Sequence, residues 1–370
     1  MVGNAWLPSR RGFVAGIGAL GAATILLTPG RGRGDDAPQR LPPPGDHGHD
    51  WQWLVGTWDV RNRRLKERLA GSTEWAEYPG KSALWLTMGG LGTIDDNAFL
   101  SPAGTFRAMG IRAFDPQSQR WAIWWLDGRG PMTIDSPMLG RFEGDEGVFD
   151  GTDTLRGKPV DTRYHWQDIH SARPHWQQSF SADGGKSWEM NFENFFTRTA
   201  ATPAPVPALP GEAPHAAPDD WAFLVGSWHG RHRKLKQRLA GSKDWDEFDG
   251  TLVNWPVMGG AGNAGDNVMN LPTGTVRGVG FRAYDPTSRK WLSWWLDGRD
   301  PLNITDPMSG GFTDGVGTLQ AADTHDGKPV IARVRWTLAG RNSARWEQSF
   351  STDGGASWEI NWVTEFTRQA

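Results

Sequence analysis

Displaced by 170 positions, the sequence lies on itself: residues 51–198 match 221–368 without a gap, with 71 identities over 148 positions. LKERLAGS (65–72) falls on LKQRLAGS (235–242), and WWLDGR (124–129) falls on WWLDGR (294–299). SADGGKSWE (181–189) falls on STDGGASWE (351–359). A period this long does not suit a solenoid, whose short units need neighbours to bury their faces; it suits a domain with its own core. Two copies of one domain follow. A site built into the shared design must use residues present in both copies.

The repeat sets the remaining boundaries. Residues 1–34 read as an export segment, 35–50 as a flexible tether, 51–198 as copy one, and 221–370 as copy two. Between the copies, 199–220 (TAATPAPVPALPGEAPHAAPDD) is a Pro/Ala-rich linker, expected to be extended and semi-rigid. Ser9-Arg10-Arg11-Gly12-Phe13-Val14 resembles the twin-arginine export motif, and an apolar run from Phe13 to Leu27 follows it. That run is too short and glycine-rich to read as a membrane span. The resemblance implies a periplasmic or secreted protein, tied to a membrane only if the signal stays uncleaved. Residues 1–34 hold four arginines (10, 11, 31, 33) and no acid, so without them 35 basic residues face 42 acidic ones. An acidic exported chain is a poor partner for nucleic acid.

Glycine (48) and proline (25) are abundant and cysteine is absent. The first favours short strands joined by turns. The second excludes disulfides, thiolate metal sites and cysteine nucleophiles. Alternation predicts strands at 56–64, 75–87, 94–101, 104–114, 121–129, 138–143, 146–156, 159–168, 173–181 and 187–197, with a brief helix over Arg63–Gly71. Ten short antiparallel strands per copy make an all-β barrel or sandwich. Gly56-Thr57-Trp58 and Gly226-Ser227-Trp228 resemble the G-x-W that opens the first strand of lipocalins. Together with FLVG, LKERLAGS, WWLDGR and the terminal W-E-x-N, they resemble a bacterial family of calycin-like barrel domains of unknown function. That resemblance covers both copies. It implies two tandem antiparallel calycin-like β-barrels of about ten strands each, able to hold a ligand, and no known activity.

Twenty of the 23 tryptophans form ten pairs at the 170 spacing, as a shared core requires. WWLDGR says more through strand parity. Trp121, Ile123, Trp125, Asp127 and Arg129 share one face; Ala122, Trp124 and Leu126 share the other. Both faces are apolar, so something covers the outer one. A pseudo-twofold interface between the barrels is expected there, with a cavity on the opposite side. Trp125, Asp127 and Arg129, with Trp295, Asp297 and Arg299, are then candidate ligand-binding residues at a cavity mouth. Arginine held by aspartate suits a carboxylate or sulfate-like group; a local ion pair at a strand-end turn fits the same residues. Arg107, Arg112, Arg277 and Arg282, which interrupt apolar hairpin strands, are further candidate anchors.

Other motifs narrow the chemistry. No histidine recurs at the 170 spacing, so no metal or haem cofactor built on histidine belongs to the shared domain. His165 and His175 remain a possible site private to copy one. Ser181-x-Asp183-x-Gly185-x-x-Trp188 and its twin at 351–358 match the Asp-box, a hairpin-turn device. The acids Glu77, Asp96 and Glu189 recur as Glu247, Asp266 and Glu359, but no spacing singles out a catalytic pair. The basic run 61–68 reads as a solvated face, or a site for an anionic polymer. The leading expectation is a non-catalytic exported protein binding a small, partly apolar or anionic ligand. Alternatives are an enzyme on a lipid or carbohydrate using Asp96 or Asp127, and a purely structural interaction module.

Overall fold

The computed structural model describes residues 46–369; the expected export segment and most of the first tether lie outside them. Copy one is a closed barrel of ten strands: β1 (Gly56–Leu65), β2 (Trp75–Thr87), β3 (Gly92–Ser101), β4 (Gly104–Asp115), β5 (Arg120–Asp127), β6 (Met138–Glu143), β7 (Glu146–Leu155), β8 (Lys158–Gln167), β9 (His175–Ser181) and β10 (Glu189–Ala200). Copy two repeats it with β11 (Gly226–Leu235), β12 (Trp245–Val257), β13 (Gly262–Leu271), β14 (Gly274–Asp285) and β15 (Lys290–Asp297). Its second half is β16 (Met308–Thr313), β17 (Val316–His325), β18 (Lys328–Gly340), β19 (Ser343–Ser351) and β20 (Glu359–Arg368). Each strand pairs antiparallel with its sequence neighbours, and β1 with β10, like β11 with β20, closes the ring. Closure gives every strand a partner on both sides, with the pairing of β5 to β6 and of β15 to β16 the shortest.

Aromatic side chains plug one end of each barrel. A short 3-10 turn, Gln52–Leu54, leads into β1, and Trp51 beside it is fully buried. Trp51 meets Trp121 and Trp166 edge-on, at centroid distances of 6.0 and 5.9 Å. Trp58 Nε1 donates to Leu54 O at 2.8 Å, and Trp121 Nε1 donates to Asp50 Oδ2 at 2.8 Å. The twins Trp228 and Trp291 make the same bonds to Leu224 O and Asp220 Oδ2. This is why these indoles recur: Trp58, Trp121 and their twins fill volume at the plugged end and satisfy their N–H groups there, while Trp51 and Trp221 contribute ring packing alone. Arg198 lies over the Trp58 ring and donates to the carbonyls of Trp53 and Val55, tying β10 across the same end.

The outer face of WWLDGR is covered as parity required. Ala122, Trp124 and Leu126 join Ile94, Met109 and Ile111 in one buried cluster with Val279, Phe281, Leu292, Trp294 and Leu296 of the other barrel. Trp85 stacks on Trp255 at 5.4 Å. The pairing is reciprocal: Met88 N donates to Asp266 Oδ1 at 2.9 Å, and Met258 N donates to Asp96 Oδ1 at 2.7 Å. Such exchange of equivalent contacts is the mark of a two-fold interface. The turns that reach across carry Gly89 and Gly259 at φ 69° and 68°. A Cβ on Gly259 would stand 2.9 Å from Arg107 Nε, so both backbone conformation and space select glycine.

Two local expectations are corrected. Residues 63–71 form no helix: β1 runs to Leu65, and the chain then bends through Leu69 at positive φ. Glu189 Oε1 accepts from Leu69 N at 2.6 Å, and tertiary contacts override the helical propensity of LKERLA. Beyond Ala200, where β10 ends, the linker has no regular element, yet it is not free. Val206 and Leu209 are buried against Ala83 and Ala98 of barrel one.

Candidate functional site

Parity separates the predicted arginines. On β4, Ala108, Gly110, Arg112 and Phe114 point inward, whereas Arg107, Met109, Ile111 and Ala113 point outward; 107 and 112 are an odd number apart. Arg107 lies at the seam, 7% exposed, and its Nε and Nη2 donate to Glu212 Oε1 and Oε2 at 2.5 and 2.8 Å. It also donates to the carbonyls of Val206 and Pro207, so it straps the linker down. Arg277, its twin, lies against Gly89 of the opposite turn. Neither faces a barrel interior, and a ligand held inside a barrel does not meet them. Arg112 and Arg282 do point inward, over the Trp51 and Trp221 rings at 4.5 and 4.2 Å.

Asp127 and Arg129 sit at the end opposite the aromatic plug. Asp127 Oδ1 accepts from Arg129 N and Nε, both at 2.9 Å, and Arg129 covers the Phe106 ring at 3.8 Å. Asp297 and Arg299 repeat the arrangement, with bonds of 2.9 and 3.0 Å. The local ion pair is thus what the Asp-Gly-Arg turn builds. It also places a guanidinium at the rim of each barrel.

Beside this turn the wall of barrel one is incomplete. β5 pairs with β6 only over Trp121–Ile123, so Trp125 and Asp127 lack a strand neighbour on that side. A cleft of about 50 Å³ opens there, lined by Trp125, Tyr164, Thr162, Met138 and the carboxylates Asp135 and Asp153. It is far below the several hundred Å³ of a site that engulfs a drug-sized molecule. Thr162 is 2% exposed and its Oγ1 has no hydrogen-bond partner. Burial pushes the Tyr164 phenol above its usual range, and Asp153 and Asp135 reinforce the shift.

Arg64 and Arg68 both have the cleft carboxylate Asp153 among their charged neighbours. Burial lowers the Arg64 guanidinium, which shares its surroundings with Tyr78, Arg129, Asp127 and Asp153. Burial, then repulsion from Arg64, lowers Arg68 to about 10. Arg64 has no carboxylate within ion-pair distance among the described residues; its guanidinium lies over the Phe192 ring at 5.8 Å. The run 61–68 divides by parity. Arg61 and Arg63 pair outside with Glu77, and Arg64 belongs to the mouth. Sequence reading took the run as a whole, as a solvated face or a site for an anionic polymer, and alternation along β1 was the signal that separates its members.

Barrel two does not repeat the cleft. Thr305 stands where copy one has Asp135, and its backbone N donates to Trp295 O at 3.1 Å while Trp295 N donates to its Oγ1 at 3.0 Å. A bridge between Leu296 and Ile304 continues this closure, so the loop seals the gap beside β15. Tyr164, Thr162 and Thr152 become Val334, Ala332 and Ala322.

The remaining acids and histidines have structural partners. Asp96 is fully buried, accepting from Met258 N and Val206 N; burial raises it to about 6. Glu189 and Glu359 hold the Leu69 and Leu239 amides. His165 pairs with Glu146 and His175 with Glu193, so the two form no joint site. Among the described residues no three His, Asp or Glu side chains are grouped to hold a metal. Asp183 Oδ1 accepts from the Lys186 and Ser187 amides, and Trp188 Nε1 donates to Gly185 O, the hairpin turn expected of the Asp-box.

No family model and no curated protein matches the sequence. Among solved structures the chain is similar to an S-type phycobiliprotein lyase from Guillardia theta, at 11% identity and a TM-score of 0.30, over 40% of this chain and 90% of that one. It is also similar to a protein of unknown function of the DUF3598 family from Nostoc punctiforme, at 11% identity and a TM-score of 0.23, over 86% of this chain and 99% of that one. A third likeness is to transferrin-binding protein B from Haemophilus parasuis, at 8% identity and a TM-score of 0.16, over 85% of this chain and 77% of that one.

Proposed function

We propose that the protein is an exported, non-catalytic binding protein that takes a small anionic ligand with an apolar face at the mouth of barrel one. The observation that carries this is Arg64, a half-buried guanidinium without an ion-pair partner among the described residues, whose charged surroundings include Asp127, Arg129 and the cleft carboxylate Asp153. The anionic group meets Arg64, with Arg68 beside it; the apolar face lies on Trp125, and Thr162 supplies a free hydroxyl. In barrel one the aromatic plug argues against this ligand lying deep in the barrel, and the small cleft against a bulky one. Export and membership of the WWLDGR barrel family belong to this reading as proposals.

Native mass spectrometry of the chain purified from its own host tests it, with Arg64→Gln and Trp125→Leu as companions. A small molecule carried by the wild type and lost from both variants, with the melting temperature within a few degrees, supports the site. A bare wild-type mass, together with no response of Trp125 fluorescence to small carboxylates, sulfates or phosphates, refutes it. That outcome favours the structural module, for which the plugged barrels and continuous inter-barrel core already speak.

A further inference from the structure

The duplication supplies an internal control for a second site, independent of the cleft in barrel one. Inside barrel one, Arg112 Nη1 lies 2.6 Å from Asp95 Oδ2, and it also donates to Thr93 Oγ1 at 3.2 Å. Asp95 Oδ1 accepts from Gly110 N at 2.6 Å and from the Asn97 amide. The charge is thereby neutralised where it is buried. Barrel two keeps the cation and loses the anion. Arg282 is 8% exposed and lies between Trp221 and Trp336, at 4.2 and 5.5 Å, but Asp95 is replaced by Gly265 and Thr93 by Asn263.

The acceptor that Arg282 retains is Asn263 Oδ1, at 2.8 Å from Nη1. Its Nε has no partner, as Arg112 Nε has none in barrel one; what sets barrel two apart is the missing carboxylate, the unmet Asn263 Nδ2 and, close by, the unmet Asn254 Oδ1. Burial lowers the guanidinium to about 9, which still leaves it cationic at neutral pH. An unneutralised buried charge is strongly unfavourable, and each unmet buried donor adds to the cost. An idle Asn263 N–H beside a buried cation that lacks the carboxylate of its twin asks for one small anion.

We propose that barrel two binds a small monoanion of the carboxylate class at Arg282, where it takes the role that Asp95 fills in barrel one. Arg282 Nε and Asn263 Nδ2 supply the hydrogen bonds. The wall limits its size. A Cβ on Gly265 would lie 2.8 Å from Leu252 Cδ1, at the position where barrel one carries Ser82, and Gly280 faces the Trp295 ring. One- and two-carbon carboxylates therefore suit the site, and six-carbon acids do not.

The test uses the full chain in chloride-free buffer, with sodium formate titrated against sodium gluconate at constant ionic strength. Formate should raise the melting temperature saturably, and ¹³C-formate should broaden in the presence of native protein, with gluconate inert in both. Gly265→Asp combined with Leu252→Ser rebuilds the arrangement of barrel one; it should melt higher than wild type and lose formate affinity at least tenfold. Arg282→Met should lose it equally. Equal responses to formate and gluconate, no broadening by the wild type, or undiminished formate binding by Arg282→Met each overturns the proposal.

Discussion

Asp96 offers a sharp test of how the two barrels are joined. Its carboxylate accepts Met258 N from barrel two at 2.7 Å and Val206 N from the linker at 2.9 Å, with Arg107 and Asp95 as its charged neighbours. Burial outweighs these hydrogen bonds and raises it from 3.8 to about 6. Between those values the folded chain binds more protons than the unfolded chain, so stability falls as pH rises. At about 1.36 kcal/mol per pH unit, Asp96 costs about 3 kcal/mol above pH 6 relative to below pH 4. Asp96→Asn removes the titration. Its amide faces one backbone N–H donor to donor, a pH-independent loss of about 1–3 kcal/mol. Urea denaturation of both proteins from pH 4 to 7 isolates Asp96 in the difference. Wild type should lose about 2 kcal/mol relative to Asp96→Asn across that range. A flat difference, or wild type gaining with pH, refutes the reasoning.

Three further outcomes are expected. His232 is buried against Phe248 and accepts from or donates to Thr364 Oγ1 at 2.8 Å, and burial lowers it from 6.5 to about 4. Its contribution is therefore present above pH 6.5 and lost as pH falls toward 4, by about 3 kcal/mol. With Asp249 and His229 as its titratable neighbours, His232→Asn, which installs the residue of copy one, should flatten that acid limb in a pH series of melting temperatures. Trp124→Ala empties part of the inter-barrel core and should cost about 3–5 kcal/mol by denaturant titration; a loss below about 1 kcal/mol shows that the barrels do not depend on one another. Arg107→Ala frees Glu212 and should expose residues 206–212 to limited proteolysis with both barrels still folded, whereas unchanged cleavage assigns the strap's hold to Val206 and Leu209 alone.

Much of the fold was legible because its causes are local or periodic. Alternation placed all ten strands of copy one, with shifts of a few residues at their ends, and it marked the two covered faces of WWLDGR. The helix over Arg63–Gly71 was misplaced because propensity is a weak preference that Glu189, 120 positions away, overrides at Leu69. The candidate site was legible in part. Asp127 and Arg129 stand at a barrel mouth, but Arg107 and Arg277 belong to the seam, a distinction that counting parity along β4 and β14 makes. Arg64 lay hidden in a basic run whose members point to opposite sides of one strand.

What the sequence determined by itself is the duplication, the all-β class and the covered strand faces. Each follows from identity at a fixed offset or from a period of two, which need no knowledge of neighbours. Only the tertiary structure decided that the barrels are plugged by tryptophan, that the wall of barrel one parts beside Trp125, and that Arg282 is buried without the carboxylate its twin possesses. Those are meetings of residues far apart in the chain. Burial and charge compensation are properties of such meetings, and no single strand carries them.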